Sequence, residues 1–175
     1  MGEHAKKKNF KLAPDGGNNW RYKEVGNEVK FVTGKLTYTI EKIISVEEHD
    51  GATDAEYYWT MELDGQNVHS LGRDNAWKPK KKGKTYNINS SQDVLFDYTD
   101  YKTVGAYFLI KEKDKSPNPD DLIAKVTKDI TYQNDQLEFE GSTISLYQEE
   151  TFRLEFHNTS EGEVDVVCRI RWEYE

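Results

Sequence analysis

Apolar and polar residues alternate along most of this sequence with a period of two. In residues 35–43, Leu36, Tyr38 and Ile40 occupy every second position, and polar residues stand between them. Because successive side chains of a strand point to opposite faces, this alternation predicts a half-buried β-strand. The same pattern predicts a strand over 56–63, which ends at the hairpin signal Asp64-Gly65, and another over 164–172.

Further runs predict additional strands. They lie at 68–71, 84–89, 93–98, 104–110, 124–132, 143–147 and 151–157, and the segment 136–147 as a whole is expected to add strands that close the sheets. Helical spacing is nearly absent, although residues 118–125 could form one helical turn. Many short strands separated by turn signals predict an all-β fold, either an antiparallel two-sheet β-sandwich or a barrel.

The start of the chain differs from the rest. It has three consecutive lysines at 6–8 and a stretch rich in turn-forming residues at 14–19. We therefore expect a flexible basic arm over residues 1–19. The remaining residues, 20–175, are of the length of one domain, so we expect them to form a single β-sandwich domain.

Composition narrows the classes of function. With 24 basic and 32 acidic residues the net charge is −8, which argues against a nucleic-acid partner. No apolar run is long enough to span a bilayer, and no secretory signal is visible, so we expect a cytoplasmic protein. The single cysteine, Cys168, excludes an internal disulfide. It falls on the apolar face of the 164–172 strand, which predicts a buried small side chain.

Catalytic motifs are missing from the sequence. There is no nucleophile elbow, phosphate-binding loop, dinucleotide-binding glycine motif or zinc-protease motif, and the four histidines are not at metal-ligand spacing. We therefore expect a protein that is not an enzyme. A glycoside hydrolase site made of two paired carboxylates stays an alternative. Such a pair has little weight as evidence, because 32 acidic residues make chance pairs abundant.

Two acidic segments interrupt the strand pattern. The first is 47–54, and the second is 112–121; each combines several carboxylates with Gly or Pro. Ca²⁺ is bound by six to eight oxygens from flexible loops, so such segments are candidate calcium ligands. The alternative is that both are solvated loops of an acidic protein.

Three stretches of the sequence, taken together, resemble the C2 domain, a calcium- and phospholipid-associated β-sandwich family. The resemblance covers about residues 35–130. Residues 36–44 resemble the family's opening strand, and Thr53-Asp54-Ala-Glu-Tyr57 resembles its Ser-Asp-Pro-Tyr segment. Residues 108–114 with 120–124 resemble its strand, Asp-x-Asp loop and exit. The resemblance implies an antiparallel two-sheet β-sandwich with both acidic loops at one tip.

The same resemblance implies a Ca²⁺ site. The family's ligands correspond to Asp50 (or Glu48), Asp54, Glu112, Asp114 and Asp121 in this chain. The sequence departs from the family pattern at four points. Glu112 replaces an Asp, Ala55 a Pro and Ala124 a Gly, and one extra residue lies between Asp114 and Asp121. These departures affect the metal site more than the fold.

A lysine-rich segment stands out in the acidic chain. Its five lysines are Lys78, Lys80, Lys81, Lys82 and Lys84. Charge segregated in this way forms a local basic patch, which could contact an anionic phospholipid or protein surface. Alternatively, these lysines lie on a solvated hairpin or edge strand and prevent edge-to-edge pairing.

Three hypotheses of function follow. The first is a non-catalytic C2-like module that binds Ca²⁺ at one loop tip and contacts an anionic membrane or protein surface. The second is a structural, self-assembling β-sandwich subunit without metal dependence, which would be a homo-oligomer. The third is a carbohydrate-binding sandwich or small hydrolase with exposed aromatic residues such as Tyr57, Trp59 and Tyr98.

Overall fold

The fold is built almost entirely of β-strands. The structure, a computed structural model, describes residues 22–25, 28–31, 34–46, 55–79, 81–96, 101–114, 118–133, 136–158 and 162–174. In chain order the strands are β1 (Tyr22–Val25), β2 (Glu28–Phe31), β3 (Gly34–Ser45), β4 (Tyr57–Leu63), β5 (Gln66–Leu71), β6 (Thr85–Phe96), β7 (Tyr101–Glu112), β8 (Asp121–Gln133), β9 (Gln136–Phe139), β10 (Ser142–Ser145), β11 (Glu149–Asn158) and β12 (Gly162–Tyr174). Within those ranges one 3₁₀ helix, Arg73–Asn75, is present.

The strands form two large antiparallel sheets and one hairpin. The larger sheet has six strands in the order β10-β9-β8-β7-β4-β5, and the smaller has four in the order β11-β12-β3-β6. Strands β1 and β2 pair only with each other in the part of the chain that the structure describes. The prediction of an all-β, antiparallel two-sheet sandwich is confirmed.

The two sheets pack together through the apolar positions of the alternating pattern. Along β4 every second residue is buried, starting at Tyr57. The rings of Phe108 and Phe156, on opposite sheets, have centroids 5.1 Å apart, and so do those of Tyr132 and Trp172. Such aromatic pairs add about 0.5–1.5 kcal/mol to the free energy gained from burial alone. One continuous apolar core therefore lies between the sheets.

The face predicted for the last strand is confirmed. Its inward residues are fully buried and are Val164, Val166, Cys168, Ile170 and Trp172. Cys168 therefore serves as a small apolar side chain in the core, as its position in the alternation predicts.

Two local predictions are wrong. The segments 84–89 and 93–98 were expected to be separate strands, but both belong to β6, which is paired with β3 on either side of an irregularity. Asn89, with a φ of 52°, lies at this point and lets the strand continue as a bulge. The helical turn expected within 118–125 is absent, since β8 begins at Asp121 and pairs with β7 from there onward.

The arm predicted at residues 1–19 lies outside the described residues. Within the described ranges, no helix combines the length and apolar character needed to cross a bilayer.

Candidate functional site

The acidic segment 112–121 and the lysine-rich segment 78–84 lie at the same end of the sandwich. We call this end, which includes the start of β4, the end of β7 and the start of β8, the loop end. Antiparallel pairing brings Tyr57, the first residue of β4, opposite Glu112, the last residue of β7. Glu112 is in turn paired with Asp121, the first residue of β8. The other sheet contributes to this end at the last residue of β11, where Nδ2 of Asn158 donates to the carbonyl of Leu122 at 3.2 Å. Asn158 is paired with Gly162, the first residue of β12, and β12 is paired near its start with Ser45, the last residue of β3.

The lysine-rich turn is fixed to this end by backbone hydrogen bonds. The N–H of Gly83 donates to the carbonyl of Ser45 at 2.7 Å, and the N–H of Ser45 donates to the carbonyl of Lys84 at 2.9 Å. Gly83 has a φ of +78°, which glycine adopts without steric cost, so the chain reverses here. The pairing of this turn with the end of β3 therefore brings basic side chains to the end that carries the acidic β7–β8 loop.

Four of the five predicted lysines can be located. Lys81, Lys82 and Lys84 are exposed at the turn, and Lys80 lies outside the described residues. Lys78 is also exposed, but its ammonium group contacts the carboxylate of Glu56. Glu56 also contacts the ammonium group of Lys113 at 3.2 Å. The hydrogen bond from Lys78 contributes most to lowering the pKa of Glu56, so this carboxylate is charged at neutral pH.

Three of the five predicted metal ligands are close together. Glu112 and Asp121 are partners across the ladder of β7 and β8, and the carboxylates of Asp114 and Asp121 are near enough for their charges to interact. Burial, followed by the charges of Asp121 and Asp120, raises the pKa of Asp114. These carboxylates therefore repel one another when they are all ionised.

The other two predicted ligands, Asp50 and Asp54, lie outside the described residues. Among the residues that are described, no group of three or more His, Cys, Asp or Glu side chains has the arrangement of a metal site. The set predicted from the sequence therefore has Glu112, Asp114 and Asp121 as its described members. Carboxylate oxygens are the ligands that Ca²⁺ prefers, so the donor chemistry of these three residues fits that ion.

Asp120 is the central polar residue of this loop, and the sequence prediction missed it. Its Oδ2 accepts hydrogen bonds from Nε of Arg73 at 2.6 Å and from the hydroxyl of Tyr58 at 2.7 Å. Its Oδ1 accepts from Nη2 of Arg73 at 2.8 Å and from the N–H of Asp114 at 3.2 Å. The Arg73 guanidinium is the largest cause that holds the pKa of Asp120 well below its usual range.

No signal in the sequence points to this pair. Arg73 lies 47 positions before Asp120, in a short 3₁₀ helix that follows β5. Burial, together with the hydrogen bond to Asp120, raises the pKa of Tyr58 to about 12. The hydroxyl of Tyr58 therefore keeps its proton at neutral pH and acts as a donor.

Two of the three aromatic residues proposed for a carbohydrate-binding surface are buried. Tyr57 and Trp59 are buried in the core, and Tyr98 lies outside the described residues. Trp59 forms an edge contact with Tyr86, with ring centroids 5.1 Å apart. The expectation of an exposed aromatic row is therefore wrong for Tyr57 and Trp59, because both occupy inward positions of β4.

Comparisons with known proteins give matches only among solved structures. No protein-family model matches the chain, and no curated protein matches it. The fold is similar to a C2 domain of a plant extended synaptotagmin 1, with 10% identity and a TM-score of 0.41 over 80% of this chain and 94% of that one. It is also similar to a C2 domain protein from Ramazzottius varieornatus, with 10% identity and a TM-score of 0.44 over 81% of this chain and 88% of that one.

A further match is human GIVD cytosolic phospholipase A2. The identity is 15% and the TM-score 0.41, and the match covers 82% of this chain but 17% of that chain. This chain therefore spans less than a fifth of that enzyme. The first two structures belong to the family that the sequence resembles.

Proposed function

We propose that this chain is a non-catalytic binding module whose loop end binds Ca²⁺ and contacts an anionic phospholipid surface. The observation that carries the proposal is the pairing of Glu112 with Asp121 at the end of the β7–β8 ladder, with the carboxylate of Asp114 near enough for its charge to interact with that of Asp121. Like charges held this close repel one another, and a divalent cation between them removes the repulsion. Asp50 and Asp54 would complete the set of ligands.

The exposed lysines support the second half of the proposal. Lys81, Lys82 and Lys84 belong to the turn that is bonded to Ser45, at the same end as the acidic loop. Cations near an anionic leaflet each contribute on the order of 1 kcal/mol. Without metal, the carboxylates would oppose the approach of such a leaflet. A bound cation would neutralise them and leave the lysines dominant at this end.

Metal binding is tested by melting the full chain in EDTA, in millimolar Ca²⁺ and in millimolar Mg²⁺. A ligand at about 100 times its Kd adds roughly 2.7 kcal/mol, which raises the Tm of a chain of this size by about 5–11 °C. We expect Ca²⁺ to produce such a shift and the double variant Asp114→Asn/Asp121→Asn to lose it. A matched control, Asp93→Asn/Glu138→Gln, removes two exposed carboxylates from other strands and should keep the shift.

Surface binding is tested by co-sedimentation with vesicles of phosphatidylserine and phosphatidylcholine, against phosphatidylcholine alone. We expect the chain to sediment with the anionic vesicles in Ca²⁺ and to remain in solution in EDTA. The variant Lys81→Gln/Lys82→Gln should weaken binding, whereas Lys35→Gln/Lys102→Gln, which removes equal charge elsewhere, should not. An oligomer that forms without metal and binds neither kind of vesicle would contradict the proposal and favour the self-assembling subunit.

A further inference from the structure

The carboxylate of Asp120 accepts four hydrogen bonds from the protein itself. Each oxygen accepts one bond from Arg73, and Tyr58 and the N–H of Asp114 each supply one more. Four donors on one carboxylate use most of its lone-pair sites. Asp120 therefore has little capacity left to bind a metal ion, although it is adjacent to Asp121.

Arg73 makes a second contact with the same loop. Its Nη2 donates to the backbone carbonyl of Asp114 at 3.2 Å. The guanidinium is thus held by a carboxylate and a main-chain carbonyl, the two kinds of protein oxygen that most often bind Ca²⁺. An arginine keeps its positive charge at every accessible pH, so this cation is always present.

We propose that Arg73 is a built-in counter-cation of the β7–β8 loop and that it competes with a divalent metal ion for the loop's oxygens. The inference deepens the proposed function, on which it rests, by naming the residue that sets the strength of the metal response. Without metal, Arg73 connects Asp120 to the backbone of Asp114, and its charge opposes the arrival of a second cation near Asp114. Affinity for Ca²⁺ is therefore lower than the carboxylates alone would give.

Replacement of Arg73 by an uncharged residue reverses both effects. In Arg73→Gln, Asp120 loses its cation, and its carboxylate adds an uncompensated negative charge next to Asp121 in the chain. The variant should melt lower in EDTA by a few degrees, about 2–4 °C for each kcal/mol lost. Ca²⁺ should then restore most of that loss, because it replaces the missing charge. The positive charge that is removed lies within hydrogen-bond distance of the Asp114 carbonyl, so its removal should also strengthen Ca²⁺ binding by roughly tenfold.

Isothermal titration with Ca²⁺, together with melts in EDTA and in Ca²⁺, tests the proposal on the full-length chain. Three variants control for a merely structural role. Arg73→Lys keeps the charge and should keep weak binding. Tyr58→Phe removes one hydrogen bond from Asp120 without a charge, so it should lower the Tm equally in EDTA and in Ca²⁺ and leave the Kd unchanged. In an Asp120→Asn background, Arg73→Gln should still strengthen Ca²⁺ binding, since it removes the positive charge that is bonded to the Asp114 carbonyl.

The Ca²⁺ response of the wild type tests the proposed function, and the difference between the wild type and Arg73→Gln tests the role of Arg73. A wild type that binds Ca²⁺ while Arg73→Gln binds equally or more weakly would overturn the role of Arg73 and leave the proposed function standing. A wild type without a response, beside an Arg73→Gln variant that gains one, would support the role of Arg73 and refute Ca²⁺ binding by the natural chain. No response in either protein would overturn the inference together with the calcium site.

Discussion

The indole N–H of Trp59 donates a 2.9 Å hydrogen bond to Nδ1 of His69 on the neighbouring strand. This bond requires Nδ1 to carry no proton, so His69 is neutral in the folded protein. Burial lowers the pKa of His69, which favours the same neutral form. A buried aromatic residue of β4 is thereby tied to the edge strand β5 by a contact that depends on pH.

We expect the stability of the protein to fall as the pH drops below 6.5, the pKa of an unperturbed histidine. His69 has a lower pKa in the folded state than in the unfolded state, where it is near 6.5. The unfolded chain therefore binds the proton first, and stability present above pH 6.5 is lost as the pH falls toward the folded pKa. In His69→Gln, whose amide oxygen can accept the indole bond, melts between pH 7.5 and 5.5 should depend less on pH. An identical slope in both proteins would contradict the role of His69.

Asp120 should stabilise the fold at neutral pH and lose this effect in acid. Its pKa is depressed chiefly by Arg73, so the stability is present above its unfolded value of about 3.8 and is lost as the pH falls through the folded value. We expect Asp120→Asn to lower the Tm at pH 7 by a few degrees, since hydrogen bonds to charged groups contribute about 1.5–3 kcal/mol. The difference from the wild type should shrink steadily in melts below pH 4, whereas Asp93→Asn should show little difference at pH 7.

Cys168 should be inert toward thiol reagents while the protein is folded. The side chain is fully buried, and this burial is the main cause that raises the pKa of its thiol to about 12. Only the thiolate reacts, so both access and ionisation are blocked. Titration with a chromogenic disulfide at pH 8 should give no reaction in native buffer and one thiol per chain in guanidinium chloride. Rapid reaction of the native protein would show that the 164–172 strand opens readily.

Gly34 should tolerate no side chain, because the ring of Trp172 occupies the space. A Cβ atom on Gly34 would lie 2.0 Å from Cη2 of Trp172. The ring of Trp172 packs in the core against Phe96, with ring centroids 5.2 Å apart. Forcing extra atoms into a packed core costs about 1–3 kcal/mol. We expect Gly34→Ala to lower the Tm by about 2–12 °C. Gly72→Ala is the control, since nothing lies within 4 Å of its Cβ position and its φ is −74°.

Equal melting temperatures for Gly34→Ala and the wild type would mean that Trp172 can shift at little cost. The packing of this ring against the start of β3 would then be loose.

Period-two alternation was enough to predict most of the fold. The inward positions of β3, β4 and β12 are the apolar ones, because a strand with one face in water must alternate. The pattern was less informative for β6, in which Asn89, Ser90 and Ser91 interrupt the apolar positions. That strand continues because its backbone pairs with β3, and main-chain hydrogen bonds do not depend on side-chain polarity.

The candidate site divides in the same way. The sequence by itself determined which residue types are present: carboxylates at 112–121, lysines at 78–84, and the strands that flank them. Only the tertiary structure decided that both regions meet at one end, that Lys78 contacts Glu56, and that Arg73 holds Asp120. These contacts join residues on different strands. Their formation depends on the order and register in which the strands pair, and on side-chain electrostatics that act through space rather than along the chain.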